Sequence, residues 1–260
     1  MNIQKSAPRA VNEYFSSLGV RLFCYENADS TNKRAREYCV ASPDIPAAFI
    51  ADAQSEGRGR LVRSFYSPCS TGLYMTLLTE APQNDKFTYI TSMAAVAVRE
   101  AISQVFGIDT SIKWVNDIYL DGKKVAGILA ESFPVNEHRY VALGIGVNIS
   151  TADFPSEIRD KAGSVAAQEL MGDELCAVRF ALAYEITRRL IQMLSETECN
   201  HIERYRQYSC VIGKRVSFIC GDREQSGVAV DIDDRGALQI RLDSGRVELL
   251  DTGEISLLIE

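Results

Sequence analysis

"TSIKWVNDIYLDGKKVAGILAES", residues 110–132, sets two runs of extended-chain residues on either side of Asp121-Gly122. β-branched and aromatic residues fill both runs, and an Asp-Gly pair between such runs is a strong local signal for a tight hairpin turn. The stretch therefore predicts two antiparallel strands. It also gathers Lys113, Asn116, Asp117 and Lys124 around one hairpin. An asparagine offers donors and acceptors to a base edge, an aspartate can hold Mg2+, and a lysine at a strand start reaches a phosphate as a point charge. Taken singly, each lysine also reads as an exposed turn residue. Trp114 reads as core or, less simply, as a platform for a flat ring.

Working outward, "VRLFCY" (20–25), "AAFIADAQ" (47–54), "TGLYMTLL" (71–78) and "RYVALGIGVNIS" (139–150) read as further strands. Helical signals lie between them. "DSTNKRAREYCV" starts a helix at Ser30 and Thr31, residues 88–106 are long and alanine-rich, and residues 173–196 form an amphipathic helix. After about residue 208 the texture changes to short strands separated by Gly, Asp and Ser turns. That pattern predicts a small all-β barrel or sandwich appended to a body of helices and strands.

The bulk figures narrow the chemistry. The chain has 260 residues, 46% hydrophobic and 24% charged, with a formal net charge of −7. An acidic average argues against a general affinity for nucleic-acid backbone, so direct DNA binding is not expected. No segment is apolar enough to span a bilayer, and no secretory leader is visible. Seven cysteines (24, 39, 69, 176, 199, 210, 220) are odd in number and never spaced as CxxC, and His138 and His201 are the only histidines. A structural zinc site has little to draw on, and free thiols fit a cytoplasmic protein.

"QSEGRGRLVRSFYSP" (54–68) is the second informative stretch. Its bland reading is a solvated turn. Against that, Gly57 and Gly59 alternate with Arg58 and Arg60, and Arg63 follows. Glycine lets backbone approach a ligand closely, and guanidinium bonds carboxylate and phosphate with two prongs. Two ligands that repel each other, a carboxylate and a triphosphate, need such cations between them. The glycines also make the loop costly to order, which predicts residues 56–66 to be mobile until anions bind.

"DSTN" (29–32), "GRGR" (57–60), "KWVND" with "DGKKVAGILAE" (113–131) and "GIGVNI" (144–149), followed by a small β module, together resemble biotin–protein ligases. The resemblance runs from about residue 20 to the C-terminus. It implies an α+β fold: a catalytic domain over residues 1–208 with a mixed β-sheet packed by helices, and a small SH3-like β-barrel over 209–260. It implies biotin and ATP as substrates with Mg2+, and biotinyl-AMP as intermediate. The acceptor is a lysine of a biotin carboxyl carrier protein. It further implies the monofunctional type, without an N-terminal DNA-binding module, as monomer or homodimer.

Residue by residue, the resemblance assigns Ser30, Thr31, Asn32, Gln54, Arg58, Gly59, Arg60 and Lys124 to biotin, with Lys124 and Arg60 catalytic. Lys113, Asn116, Asn148 and Arg63 fall on the nucleotide side, and Asp117 is a candidate metal ligand. Two positions depart from the family pattern: Val62 stands where glycine is usual and Val115 where proline is usual. Valine's preference for extended backbone places Val115 within a strand. A related lipoate or octanoate ligase and a non-catalytic biotin-sensing protein are the competing readings. The paired GRGR and KWxND motifs argue against the first, and the presence of both Arg60 and Lys124 against the second.

Overall fold

The structure is a computed structural model that describes residues 2–41, 44–81, 87–196, 200–220 and 223–258. Cys199 and the side chains of Val62 and Cys220 lie outside the described residues. The larger sheet is built from β1 (Ile3–Lys5), β2 (Arg21–Ala28), β3 (Ala47–Gln54), β4 (Gly72–Glu80), β5 (Ser111–Lys113), β6 (Asp117–Leu120), β7 (Lys123–Val135) and β8 (His138–Asn148). Their order is β1-β2-β3-β4-β8-β7-β6-β5. Helix α2 (Thr31–Ala41) carries the chain from β2 to its parallel neighbour β3, and the remaining pairs are antiparallel. The sheet is therefore mixed. Asp121 and Gly122 join β6 to β7 with φ of 49° and 77°, the twist that a two-residue hairpin demands.

Strand alternation sorts the two faces. Ala48 and Ile50 of β3, Leu73, Met75 and Leu77 of β4, and Val141, Leu143, Ile145 and Val147 of β8 all enter the main apolar cluster. Helices α1 (Arg9–Ser17), α3 (Phe87–Phe106) and α4 (Gly172–Ser195) supply its other side. On the opposite face a second apolar cluster forms at one end, where Ala35 and Cys39 of α2 meet Ala47, Phe49, Leu78, Phe133, Tyr140 and Ala142. Beyond that end the same face presents Thr76, Gly127, Gly144, Gly146 and Asn148. Small residues there leave a trough across the middle of the sheet.

The smaller sheet comprises β9 (Arg215–Cys220), β10 (Arg223–Ile232), β11 (Leu238–Leu242), β12 (Val247–Leu250) and β13 (Ile255–Leu257), all antiparallel in the order β12-β11-β10-β9-β13. Its Val216, Phe218, Ile232, Leu238 and Ile240 belong to the same apolar cluster as Ile112 and Trp114 of the larger sheet. Ser209 bridges to Ile112, and Trp114 Nε1 donates to Gly236 O at 3.0 Å. Trp114 is thus core, shared between the two sheets.

One sequence expectation is corrected. Val115 does not lie within a strand: residues 114–116 form the turn between β5 and β6, where Lys113 pairs Asp117, and the Trp114–Val115 peptide bond is cis. Valine's extended preference gives way because the turn is gripped from both sides, by Trp114 on Gly236 and by the Tyr205 hydroxyl donating to Val115 O at 2.9 Å. Strand β1, helix α1 and helix α5 (His201–Tyr208) are not among the elements read from the sequence; α1 buries a single residue, Phe15.

Candidate active site

Helix α2 starts where β2 ends, so Ser30, Thr31 and Asn32 arrive at the trough with their side chains buried. Gln54, at the end of parallel β3, faces them. Its Oε1 accepts from the Thr31 backbone N–H at 2.8 Å and from the Thr31 hydroxyl at 3.1 Å, and its Nε2 donates to Ser67 Oγ at 3.1 Å. The glutamine thereby satisfies a helix N-terminal donor that a capping residue would otherwise take. The Thr76 hydroxyl lies 2.8 Å from Thr31 Oγ1 and 2.6 Å from Asn32 Oδ1, and Asn32 Nδ2 donates to Glu131 Oε2 at 2.7 Å. A Cβ on Gly144 would stand 2.4 Å from Asn32 Oδ1, so only glycine leaves room for this network.

The trough's middle is floored by Gly127 and Gly146 and covered by Phe65, whose ring would lie 2.4 Å from a Cβ on Gly146. Phe65 ends the arginine-glycine loop. That loop folds on itself: Phe65 N–H donates to Gly57 O at 2.9 Å, Gly59 N–H to Arg63 O at 2.7 Å, and residues 60–62 make a single 3-10 turn. The turn at residues 60–62 parts its cations. Arg58 lines the cleft with Ser30, Asn32, Lys33 and Glu131. Arg60 reaches the other end, where its Nη1 donates to Asn116 Oδ1 at 3.2 Å. Arg63 points outward and pairs with Glu254 at 2.8 Å.

At that far end a bulge decides the geometry. Ile118 pairs Ala126 and Tyr119 pairs Lys124, so Val125 is the extra residue, and the shift turns Lys124 onto the face of Gly127 and Asp117. Strict alternation would have sent it toward the core. Lys124 Nζ sits 2.6 Å from Asp117 Oδ1, an oxygen that is buried and receives no hydrogen bond, so the contact is a charge pair of oblique geometry. The Lys124 backbone is fixed by Lys161 O and by the Gly163 N–H, and Asn148 Nδ2 donates to Gly163 O at 2.9 Å. Asn116 Nδ2 donates to Ile128 O at 2.8 Å, and Lys113 Nζ lies 5.5 Å from the Tyr119 ring centre. Burial pushes the Tyr119 phenol up to about 12, with the Asp117 charge adding to the rise, so it stays protonated beside these cations.

The structure thus brings Ser30, Thr31, Asn32, Gln54 and Arg58 to one end. Arg60, Lys113, Asn116, Asp117 and Lys124 meet at the other, with Asn148 bonded to the segment that holds Lys124. Arg63 stands apart, on the smaller sheet's Glu254. Sequence reasoning missed Thr76, Glu131, Phe65 and Glu254. A lone threonine inside the apolar run "LYMTLL" was the available signal for Thr76; nothing in the sequence marks Glu254.

Residues 25–148 match the Biotin/lipoate A/B protein ligase family, and residues 211–258 match the Biotin protein ligase C terminal domain. The Bifunctional ligase/repressor BirA of Bacillus subtilis is 32% identical over 234 residues, covering 88% of this chain and 71% of that protein. A Biotin--[acetyl-CoA-carboxylase] ligase of Paracoccus denitrificans is 30% identical over 228 residues, covering 84% and 93%. Among solved structures, biotin protein ligase from Aquifex aeolicus in complex with biotin and ATP superposes with a TM-score of 0.75 at 26% identity, covering 92% of this chain and 99% of that one. With both of its sheets matched and such relatives similar over most of their length, the chain belongs to the biotin protein ligase family.

Proposed function

We propose that this chain activates biotin with ATP to biotinyl-AMP and pyrophosphate, then transfers the biotinyl group to a lysine of a biotin carboxyl carrier domain. One observation carries the reading: along one face of the sheet, the neutral hydrogen-bonding side chains of Ser30, Thr31, Asn32 and Gln54 gather at one end and the cations Arg60, Lys113 and Lys124 at the other. The ureido ring of biotin is a neutral, rigid set of donors and acceptors, which suits the Ser30, Thr31, Asn32, Gln54 end. With the Phe65 ring lifted from Gly127 and Gly146, the aliphatic tail would lie over that floor and bring its carboxylate to Lys124 and Arg60.

In the first step a biotin carboxylate oxygen attacks the α-phosphorus, an O–P bond forms, and the bond to the β-phosphate bridging oxygen breaks to release pyrophosphate. Two anions must meet, so Lys124 and Arg60 lower the barrier by neutralising charge and aligning the groups. Lys124 is released from Asp117 as the new anions replace that carboxylate. In the second step the carrier's neutral lysine amine attacks the acyl carbon, AMP leaves with the C–O bond pair, and the amine's proton passes to solvent or to Asp117. ATP brings Mg2+ as part of the substrate. Asp117 would be the carboxylate that helps hold that ion, and Mg2+ would add positive charge where the phosphates are attacked.

Lys113, Asn116 and Asn148 belong to the nucleotide side in this reading, residues 1–208 form the catalytic domain and residues 209–260 the smaller one. Match to the ligase C-terminal domain as well as the catalytic family favours biotin over lipoate. Free thiols at Cys24, Cys39, Cys69, Cys176 and Cys210 accord with a cytoplasmic setting, and no helix among the described residues is long and apolar enough to cross a membrane. Pyrophosphate release with biotin and Mg-ATP, followed by mass spectrometry for retained biotinyl-AMP, tests the reading. Release that does not depend on biotin, or no retained adenylate, overturns it.

A further inference from the structure

Besides Phe65 on the sheet and Arg58 in the cleft, the arginine-glycine loop sends out two side chains of opposite destination. Arg60 bonds Asn116, which stands on the turn that Trp114 and Tyr205 fix to the smaller sheet and to α5. Arg63 crosses to Glu254, in the connection between β12 and β13 of the smaller sheet. The two sheets share a core, and Glu254 directly precedes β13, so the smaller sheet is the platform that carries it. The platform therefore holds the loop's outer side while the larger sheet holds its inner side.

We infer that Glu254 is a positioning residue: its charge latches the loop over the trough and slows escape of the bound adenylate. The inference rests on the activity proposed above. Glu254 makes no contact with the trough; it acts through Arg63. The Arg63 and Glu254 side chains are 68% and 39% exposed, so the pair is weak and open to salt screening. A weak latch suits a loop that opens each turnover to admit substrates, and the later exit of product does not have to break a strong bond.

Charge, not shape, is the claim, and four proteins test it: wild type, Glu254→Gln, Glu254→Asp and Glu254→Lys. Radiolabelled biotinyl-AMP is formed on each enzyme, chased with unlabelled biotin, and its release timed. Glu254→Gln should release it about two- to fivefold faster, in line with a surface ion pair; Glu254→Lys should exceed that and Glu254→Asp stay near wild type. First-turnover pyrophosphate release should be unchanged in Glu254→Gln. Raising ionic strength should speed release from wild type and leave Glu254→Gln nearly unmoved. Amide hydrogen exchange across residues 57–65, measured without ligand, should also be faster in Glu254→Gln. Equal release from wild type and Glu254→Gln, or equal acceleration by all three variants including aspartate, overturns the latch. The exchange measurement needs no substrate, so a failed latch stays distinct from a failed ligase assignment.

Discussion

The two ends of the trough differ in how their polar groups are satisfied. At the head end, Thr31, Asn32, Gln54, Thr76 and Glu131 bond to one another in a buried network anchored by a helix start and a parallel strand end. At the charged end, Lys124 rests on Asp117 and Arg60 on Asn116, each a partner that an incoming anion can replace. The first end is built before the ligand arrives. The second is held in readiness by exchangeable contacts. Recognition of a neutral ring rewards preorganisation, because ordering cost is met in folding, whereas handling charge that moves during reaction rewards partners that can be traded.

The sharpest way to break this comparison is Lys124→Ala. If Lys124 acts mainly as charge when carboxylate and phosphate meet, pyrophosphate release should fall about 100- to 1000-fold, the scale for losing one transition-state charge contact. Biotin affinity, read by calorimetry without ATP, should weaken by less than about tenfold, since the head end is untouched. Near-normal pyrophosphate release would remove Lys124 from the chemistry and leave the two ends without distinct roles.

Gly144→Ala probes the opposite end and has a smaller expected effect. The new Cβ would fall within 2.4 Å of Asn32 Oδ1 and force the network apart. Overpacking of this kind costs about 1–3 kcal/mol. Biotin should bind correspondingly more weakly, while turnover at saturating biotin stays within about threefold of wild type. A collapse of turnover with unchanged affinity would show that Asn32 serves chemistry and not recognition.

Much of this was legible in the sequence, for reasons that differ by residue. The hairpin at Asp121-Gly122 announces itself through local turn chemistry, and β3 and α3 through apolar runs, so their placement needs no long-range information. Ser30, Gln54, Lys124 and their neighbours were named through ordered motifs. Their mutual geometry was not legible. The bulge at Val125 that turns Lys124 to the trough depends on pairing with β6, and "KKVAG" alternates without showing it. The turn at Val115 is fixed by Gly236 and Tyr205, far away in the chain. Glu254 acquires meaning only once the smaller sheet is seen to reach the loop.

The smallest expected effect concerns acid, and Asp29 at the head end exhibits it. This carboxylate stands just before α2, accepts from the Ser30 N–H at 2.7 Å and pairs with Lys33 at 2.7 Å and Arg34 at 2.9 Å. Burial works to raise its pKa, but the bonds from Lys33 and the Ser30 N–H, with Arg34 beside them, outweigh it and hold the carboxyl below its ordinary 3.8. A carboxyl depressed in the folded state contributes stability that is present above its unfolded value and lost as pH falls through the folded one. Asp29→Asn should therefore lower the thermal midpoint at pH 7, and the gap to wild type should hold down to about pH 4 and close below it. The Asp29 side chain is 14% exposed, but its Lys33 partner is 43% exposed and solvent screens the pair, so the gap is small, on the order of a degree or two. Melting both proteins by circular dichroism from pH 7 to pH 3 checks it. A gap that persists unchanged at pH 3 would mean that Asp29 serves through shape, and that the head end's readiness owes nothing to charge.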